Sequence, residues 1–364
     1  GSVIKPNIYV EKLDAYSITP QDVWSDDAPP DILKIDWNEA PSDLTFYQKE
    51  LKKIIGKSNL IAWYPDCLSI DLIEAISNFI NVRPNFILTF PGSDVGLDTL
   101  CRSYLNVGDK VMAICPTYEN FFVYVNQMGA DLSKLVLEEP FILDYELVAN
   151  EIESHGELKM FYLANPNNPC GYAVTSEIIE KLAIKFPQTI FVIDEAYIEF
   201  TKILSSAPLA EKYSNVVILR SFSKAFGMAG LRLGYMCAPI PLIQTMNKIR
   251  NGKNVSMMSQ KLGIFAMENF DLVKSWIDEV VFSRKMFQDW CINTDVEFFP
   301  SEGNFVLFKA SSPFELCKAL KAEGIYIRNR DSLLPGYVRI TIGSRSQTER
   351  LIRTVEKFMN YLVD

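Results

Sequence analysis

Between about residues 44 and 245 the chain repeats one unit: a short apolar run, a knot of polar residues, then a stretch with helical spacing. The runs are NFILTF, DKVMAICP, KMFYLA, TIFVID and NVVILR. None alternates apolar with polar residues, as a strand with one wet face does. Each must therefore be covered on both faces, and a mostly parallel sheet with helices on either side provides that cover. Stretches such as DLIEAISNFI, apolar at helical intervals, supply the covering layer. Hydrophobic residues make up 48% of the 364, enough for a sizeable core. The expected class is α/β.

Past residue 250 the rhythm changes. A long helical stretch near 240–290 is followed by VEFFPSEGNFVLFK, IYIRN and YVRITIG, which read as strands separated by helical segments such as SPFELCKALKAEG. The first forty residues are irregular and carry prolines. The expected organisation is an N-terminal arm over 3–43 packing with the small domain, a large domain over 44–250, and a small α+β domain over 251–364.

Several function classes are excluded early. The net charge is −9 and the basic residues are scattered, so no nucleic-acid partner is expected. Seven cysteines, an odd number with no C-x-x-C pair, argue against a disulfide framework or a zinc site and for reduced thiols in a cytoplasmic protein. His155, in ESHGE, is the one histidine, so His-based triads and metal sites are not expected. No apolar run approaches the length of a membrane span, and neither a span nor a secretory leader is expected.

In an open α/β sheet, ligands bind beyond the carboxyl ends of the strands. The polar knots stand there: Gly92-Ser93-Asp94, Thr117-Tyr118, Asn165 to Gly171, Asp194 to Tyr197, and Ser221 to Lys224. Any one of them has an ordinary reading as a helix cap, a turn or a solvated strand end. Together they outline one rim. Lys224 sits among small residues, where a bulky carbonyl compound can reach it, and a desolvated lysine readily forms a Schiff base. The hydroxyls of Ser221 and Ser223, backbone amides near Ser93 and the guanidinium of Arg232 can hold a phosphate. An aldehyde-bearing phosphate held at a lysine suggests pyridoxal phosphate. That cofactor requires a carboxylate at its ring nitrogen, and Asp194 ends an apolar strand. Tyr197 and Asn168 can hydrogen-bond the phenolic oxygen, and Tyr118 offers a flat face for stacking.

With these residues in view, the chain resembles the fold-type I pyridoxal-phosphate aminotransferases of the histidinol-phosphate aminotransferase branch. The resemblance runs through WNEAP (37–41), YPD (64–66), GSD (92–94), PTY (116–118), NPNNPCG (165–171), DEAYIEF (194–200), SKAFGMAGLRLGY (223–235), SEGNFVLF (301–308) and YVRITIG (337–343). It implies Lys224 as the cofactor-bearing lysine, Asp194 at the pyridine nitrogen, and Tyr197 and Asn168 at the phenolic oxygen. It places Ser93, Asp94, Ser221, Ser223 and Arg232 around the cofactor phosphate. It also implies a homodimer in which Tyr64 reaches the neighbouring subunit's cofactor.

On the substrate side the resemblance points to Arg339 and Arg328, with Tyr16 and Asn38 from the arm. Arg339 lies between apolar neighbours, where an unpaired inward guanidinium is costly, which favours a ligand role. The implied reaction moves an amino group from glutamate to a small phosphorylated ketone, such as dihydroxyacetone phosphate or imidazole-acetol phosphate. Cys170 replaces the family's usual threonine, and the loop RNGKNVS (250–256) is more polar and basic than its counterpart. Two alternatives share most of these motifs: a threonine-phosphate decarboxylase-like enzyme and a non-catalytic pyridoxal-binding regulator.

Overall fold

The structure is a computed structural model and describes residues 4–15, 21–57 and 59–364. Among the described residues, thirteen strands form three sheets. In chain order they are β1 (Leu33–Lys34), β2 (Ile87–Phe90), β3 (Lys110–Cys115), β4 (Asp131–Val136), β5 (Met160–Ala164), β6 (Ile190–Asp194), β7 (Val216–Ser221), β8 (Gly234–Cys237), β9 (Phe298–Phe299), β10 (Phe305–Lys309), β11 (Ile325–Tyr326), β12 (Arg328–Asn329) and β13 (Tyr337–Thr341).

The large sheet has the order β2-β8-β7-β6-β5-β3-β4. Only β8 runs against its neighbours; the β7-β6-β5-β3-β4 ladder is parallel throughout. Its inner strands explain the unbroken apolar runs. Along β3, Met112 and Ile114 join the core on one face, while Val111, Ala113 and Cys115 join the core on the other. Each fully buried side chain of this size stabilises the fold by about 1.5–3 kcal/mol relative to exposure. The strand order reverses where β3 lies beside β5, and the polar knots follow the carboxyl ends of β2, β3, β5, β6 and β7.

The small sheet is antiparallel, in the order β12-β13-β10-β9. Phe305 registers with Thr341, and Leu307 with Arg339. One face, with Val306, Phe308, Val338 and Ile340, is buried in the core. The opposite face carries Phe305 and Arg339 and turns towards the large sheet, for Phe305 packs edge-on against Tyr197 at 5.0 Å. The arm is tied to this region. β1 runs parallel to β11, and the Thr341 N–H donates to the Ile35 carbonyl at 2.9 Å.

Three details depart from the pattern read off the sequence. β4, DLSKLV, pairs only with β3 and is half exposed, so it lacks the apolar signature of an inner strand. β8 is four residues long and follows directly on a loop, too short to stand out by pattern. The helical stretch near 240–290 is three helices, Ile240–Met246, Met257–Glu268 and Phe270–Asn293, with the RNGKNVS loop between the first two.

Candidate active site

The helix Ser93–Tyr104 begins at the end of β2, and its first N–H groups are the natural seat for an anion. Two glycines let other groups close on that seat. β8 inserts between β2 and β7, placing Gly234 opposite both Phe90 and Ser221. A Cβ on Gly234 would fall 2.5 Å from the Ser93 nitrogen. Gly92, at φ +101°, lies under the Arg232 guanidinium, and a Cβ there would fall 2.7 Å from Nη2. Arg232 itself has φ 53° and donates from Nη1 to the Ala229 carbonyl at 3.2 Å. Ser221 Oγ accepts the Ser223 N–H at 3.0 Å. Ser93, Ser221, Ser223 and Arg232, scattered over 140 positions, thus surround one small cradle.

Asp194 closes β6 and is buried. It accepts from Tyr162 Oη at 2.8 Å and from the Ala196 N–H at 3.2 Å. Burial pushes its carboxyl up to about 6; nearby Asp94 adds to the rise, while Tyr162, the Ala196 N–H and the charge of Lys224 oppose it. No cation forms an ion pair with Asp194 among the described residues. Asp94, in the first turn of the helix, uses its carboxylate on the aromatic wall: it accepts from Tyr118 Oη at 3.0 Å and Asn120 Nδ2 at 3.2 Å. Its side chain therefore holds Tyr118 and Asn120.

Lys224 Nζ donates to the Trp37 carbonyl at 3.0 Å and stands 5.9 Å from the centre of the Tyr197 ring. The Tyr197 hydroxyl accepts from Asn38 Nδ2 at 3.0 Å. Asn38 adopts the left-handed conformation at φ 59°, and its backbone N–H donates to Thr341 Oγ1 at 2.8 Å. The arm thereby bridges the two sheets at the site. Arg339 is 7% exposed. Its Nη1 donates to Asn168 Oδ1 at 2.8 Å and its Nη2 to the Asp36 carbonyl at 2.9 Å, while Nε has no partner. Both acceptors are neutral. Burial draws the guanidinium pKa down to about 10; Arg330 and Arg328 reinforce this, while Tyr197 and the Asp36 carboxylate, which forms no ion pair with it, oppose it.

The structure therefore brings together Lys224, Asp194, Tyr197, Asn168, Asn38 and Arg339, with the Ser93/Ser221/Ser223/Arg232 cradle and the Tyr118–Asp94 pair. Arg328 stands directly across the ladder from Arg339. Tyr64 is not part of this cluster: it is 78% exposed, and its ring contact is with Lys253 Nζ at 4.2 Å. Tyr16 lies outside the described residues.

Sequence reasoning missed Tyr162, which in MFYLA looks like any core aromatic. Strand register would have found it. Ala164 pairs with Asp194, so Tyr162 lies on the same face, two residues back along the neighbouring strand. It also missed a buried ion group behind the cradle, in which Arg220 meets Glu199 at 3.1 Å and Glu195 at 3.6 Å. Breaking such a group by removing one partner typically costs about 3–5 kcal/mol.

These residues fit a phosphorylated pyridine aldehyde. The cradle offers helix N–H groups, hydroxyls and a guanidinium at a place where the two glycines leave no room for a side chain. The buried carboxylate without a cation partner matches a protonated ring nitrogen, and the half-buried lysine stands within reach of both sheets.

Comparison with known proteins agrees. The family model described as aminotransferase class I and II matches residues 31–355. A dihydroxyacetone phosphate transaminase of Campylobacter jejuni is 34% identical over 362 residues, covering 98% of this chain and 97% of that protein. A histidinol-phosphate aminotransferase of Methanocaldococcus jannaschii is 31% identical over 342 residues, covering 91% and 90%. The crystal structure of histidinol-phosphate aminotransferase from Sinorhizobium meliloti in complex with pyridoxal-5'-phosphate has the same fold, with a TM-score of 0.86 at 22% identity over 99% of this chain and 98% of that one. The chain belongs to the class I and II aminotransferases and is a pyridoxal-phosphate-dependent transaminase.

Proposed function

We propose that this transaminase moves an amino group from glutamate to a small phosphorylated ketone, with dihydroxyacetone phosphate as the first candidate. The observation that carries the reading is Arg339, a buried guanidinium whose hydrogen-bond partners are both neutral. A buried cation that no carboxylate bonds directly is costly unless a ligand supplies the charge. The Campylobacter relative supports a phosphorylated three-carbon acceptor, and both curated relatives reported above are transaminases, which favours transfer over decarboxylation.

In this reading Lys224 Nζ holds the cofactor covalently and later carries the proton taken from the substrate's α-carbon. The cofactor, once bound, supplies the electron sink for that carbon. Asp194 keeps the ring nitrogen protonated, with Tyr162 holding the carboxylate in place. Tyr197, steadied by Asn38, and Asn168 address the phenolic oxygen. Tyr118 covers the ring, and Ser93, the Asp94 backbone, Ser221, Ser223 and Arg232 hold the phosphate. Arg339, with Arg328 across the ladder, grips the acceptor's anion.

The test of the anion reading is comparative. Arg339→Ala should lower kcat/KM for a phosphorylated ketone by about ten- to a hundred-fold, the cost of one charge-assisted contact. The dephosphorylated ketone should lose far less. Equal losses on both would assign Arg339 to the donor's carboxylate or to the fold.

The same reading makes the protein a cytoplasmic homodimer. All seven cysteines are free thiols, as a reducing compartment allows. Ile61, Trp63, Tyr64, Leu68 and Ile70 form an exposed apolar run that a second copy would cover. A mixture of inactive Lys224→Ala and inactive Tyr64→Ala chains should then regain activity, because one of the two shared sites would be intact. A fully active monomer in sedimentation would contradict it.

A further inference from the structure

The face of the small sheet that looks towards Tyr197 carries more positive charge than one bound anion group of unit charge requires. Arg328 and Arg339 are direct cross-strand partners, so both side chains leave the sheet on this face. The register continues past β12. The Arg330 N–H donates to the Tyr337 carbonyl at 3.0 Å, which sets Arg330 opposite Tyr337, two residues from Arg339 and on the same face. Arg330 is half-buried, and its Nε is fully buried with no partner. Neither Arg328 nor Arg330 has a side-chain hydrogen bond or an ion pair among the described residues.

The opposing charge nearby is small. The Asp36 carboxylate is engaged by Lys34 at 3.0 Å and by Gln21 at 3.3 Å. Glu119, next to the ring-covering Tyr118, is the carboxylate that acts on Arg330, and it is exposed to solvent. Burial lowers the Arg330 pKa and Arg328 lowers it further, while Glu119 opposes them. Arg330 weighs on Arg339 more than Arg328 does, although Arg328 is its ladder partner.

We propose that Arg330 is a specificity-determining residue, whose guanidinium joins those of Arg339 and Arg328 in a three-cation grip that selects a phosphate dianion over a carboxylate. The inference rests on the reading that the acceptor carries a phosphate. A carboxylate brings one charge and one planar edge, which a single guanidinium fork satisfies. A phosphate ester brings about 1.5–2 negative charges near pH 7 and three terminal oxygens, enough to engage several forks at once. Three guanidiniums facing the solvated Glu119 and an Asp36 carboxylate already engaged by Lys34 match the second ligand and are over-supplied for the first.

The test uses the holoenzyme with its cofactor in place and two probes, inorganic phosphate and acetate, titrated by calorimetry. Arg330→Gln should weaken phosphate binding by about ten- to a hundred-fold and leave acetate within about twofold. Arg330→Lys, which keeps the charge and loses the fork, should recover part of the loss. The KM for dihydroxyacetone phosphate should rise in parallel. The half-reaction with glutamate, followed by the cofactor's absorbance, should lose several-fold less than the half-reaction with dihydroxyacetone phosphate, and equal losses in the two would overturn the selectivity. Equal phosphate affinity in wild type and Arg330→Gln overturns the proposal, as do equal losses for phosphate and acetate. If phosphate binding depends on Arg330 but no phosphorylated ketone is turned over, the acceptor assignment falls and the grip stands.

Discussion

Lys224→Ala is expected to give a folded protein whose transamination is slower by about 10⁴-fold, the upper range for loss of a positioned proton carrier. The side chain donates to the Trp37 carbonyl, a bond at the site's rim that the surrounding core does not need. The neighbours Phe222, Ala225 and Phe226 are fully buried and keep the turn in place without it. Borohydride reduction of the wild type followed by peptide mapping should put the pyridoxyl group on Lys224. A label on Lys202, Lys212 or any other lysine would remove Lys224 from the centre of the site. The two measurements are independent, since labelling reports attachment and the variant reports proton transfer.

Asp194→Asn is expected to keep the fold and to slow turnover by about 10²–10³-fold, as loss of one preorganised charge in a dry site does. An amide cannot hold the ring nitrogen protonated, and the Tyr162 hydroxyl would then face a neutral partner. A second readout needs no turnover. Burial raises the Asp194 pKa to about 6, from 3.8, in the folded chain. A carboxyl raised in this way favours the folded state most below its unfolded pKa, and that contribution is lost as pH rises through the folded value. Cofactor-stripped wild type should therefore shed stability between about pH 4 and 6 relative to Asp194→Asn, whose amide does not titrate. Adding cofactor should reduce the difference, because a protonated ring nitrogen offsets the buried charge. Identical pH profiles for the stripped wild type and variant, or near-normal turnover by the variant, would each remove Asp194 from this role.

Much of this was legible in the chain because burial writes itself into composition. KMFYLA, TIFVID and NVVILR read as inner strands, since their apolar runs are unbroken and both of their faces needed cover. The polar knots that follow had to lie at one end of the sheet, because parallel strands all empty the same way. Ser93, Asp194, Ser221, Ser223 and Lys224 could be placed on that rim from order alone. β4 could not, because its side chains are half exposed and its sequence loses the pattern, whereas β2, at the other edge, is buried throughout. Contacts made across strands were also hidden. Tyr162 reaches Asp194 from the adjacent strand, and the register that puts them on one face is fixed by the packing of two cores, not by either segment. Asn38 meets Tyr197 and Thr341 only because the arm folds back across both sheets. The α/β architecture and the set of groups available to a phosphorylated aldehyde follow from local pattern and residue chemistry. Tertiary structure alone decided that Asp94 would hold Tyr118, that Arg339 would be buried against neutral partners, and that Arg330 would share its face. Those outcomes depend on distances between segments far apart in the chain, and no local pattern encodes them.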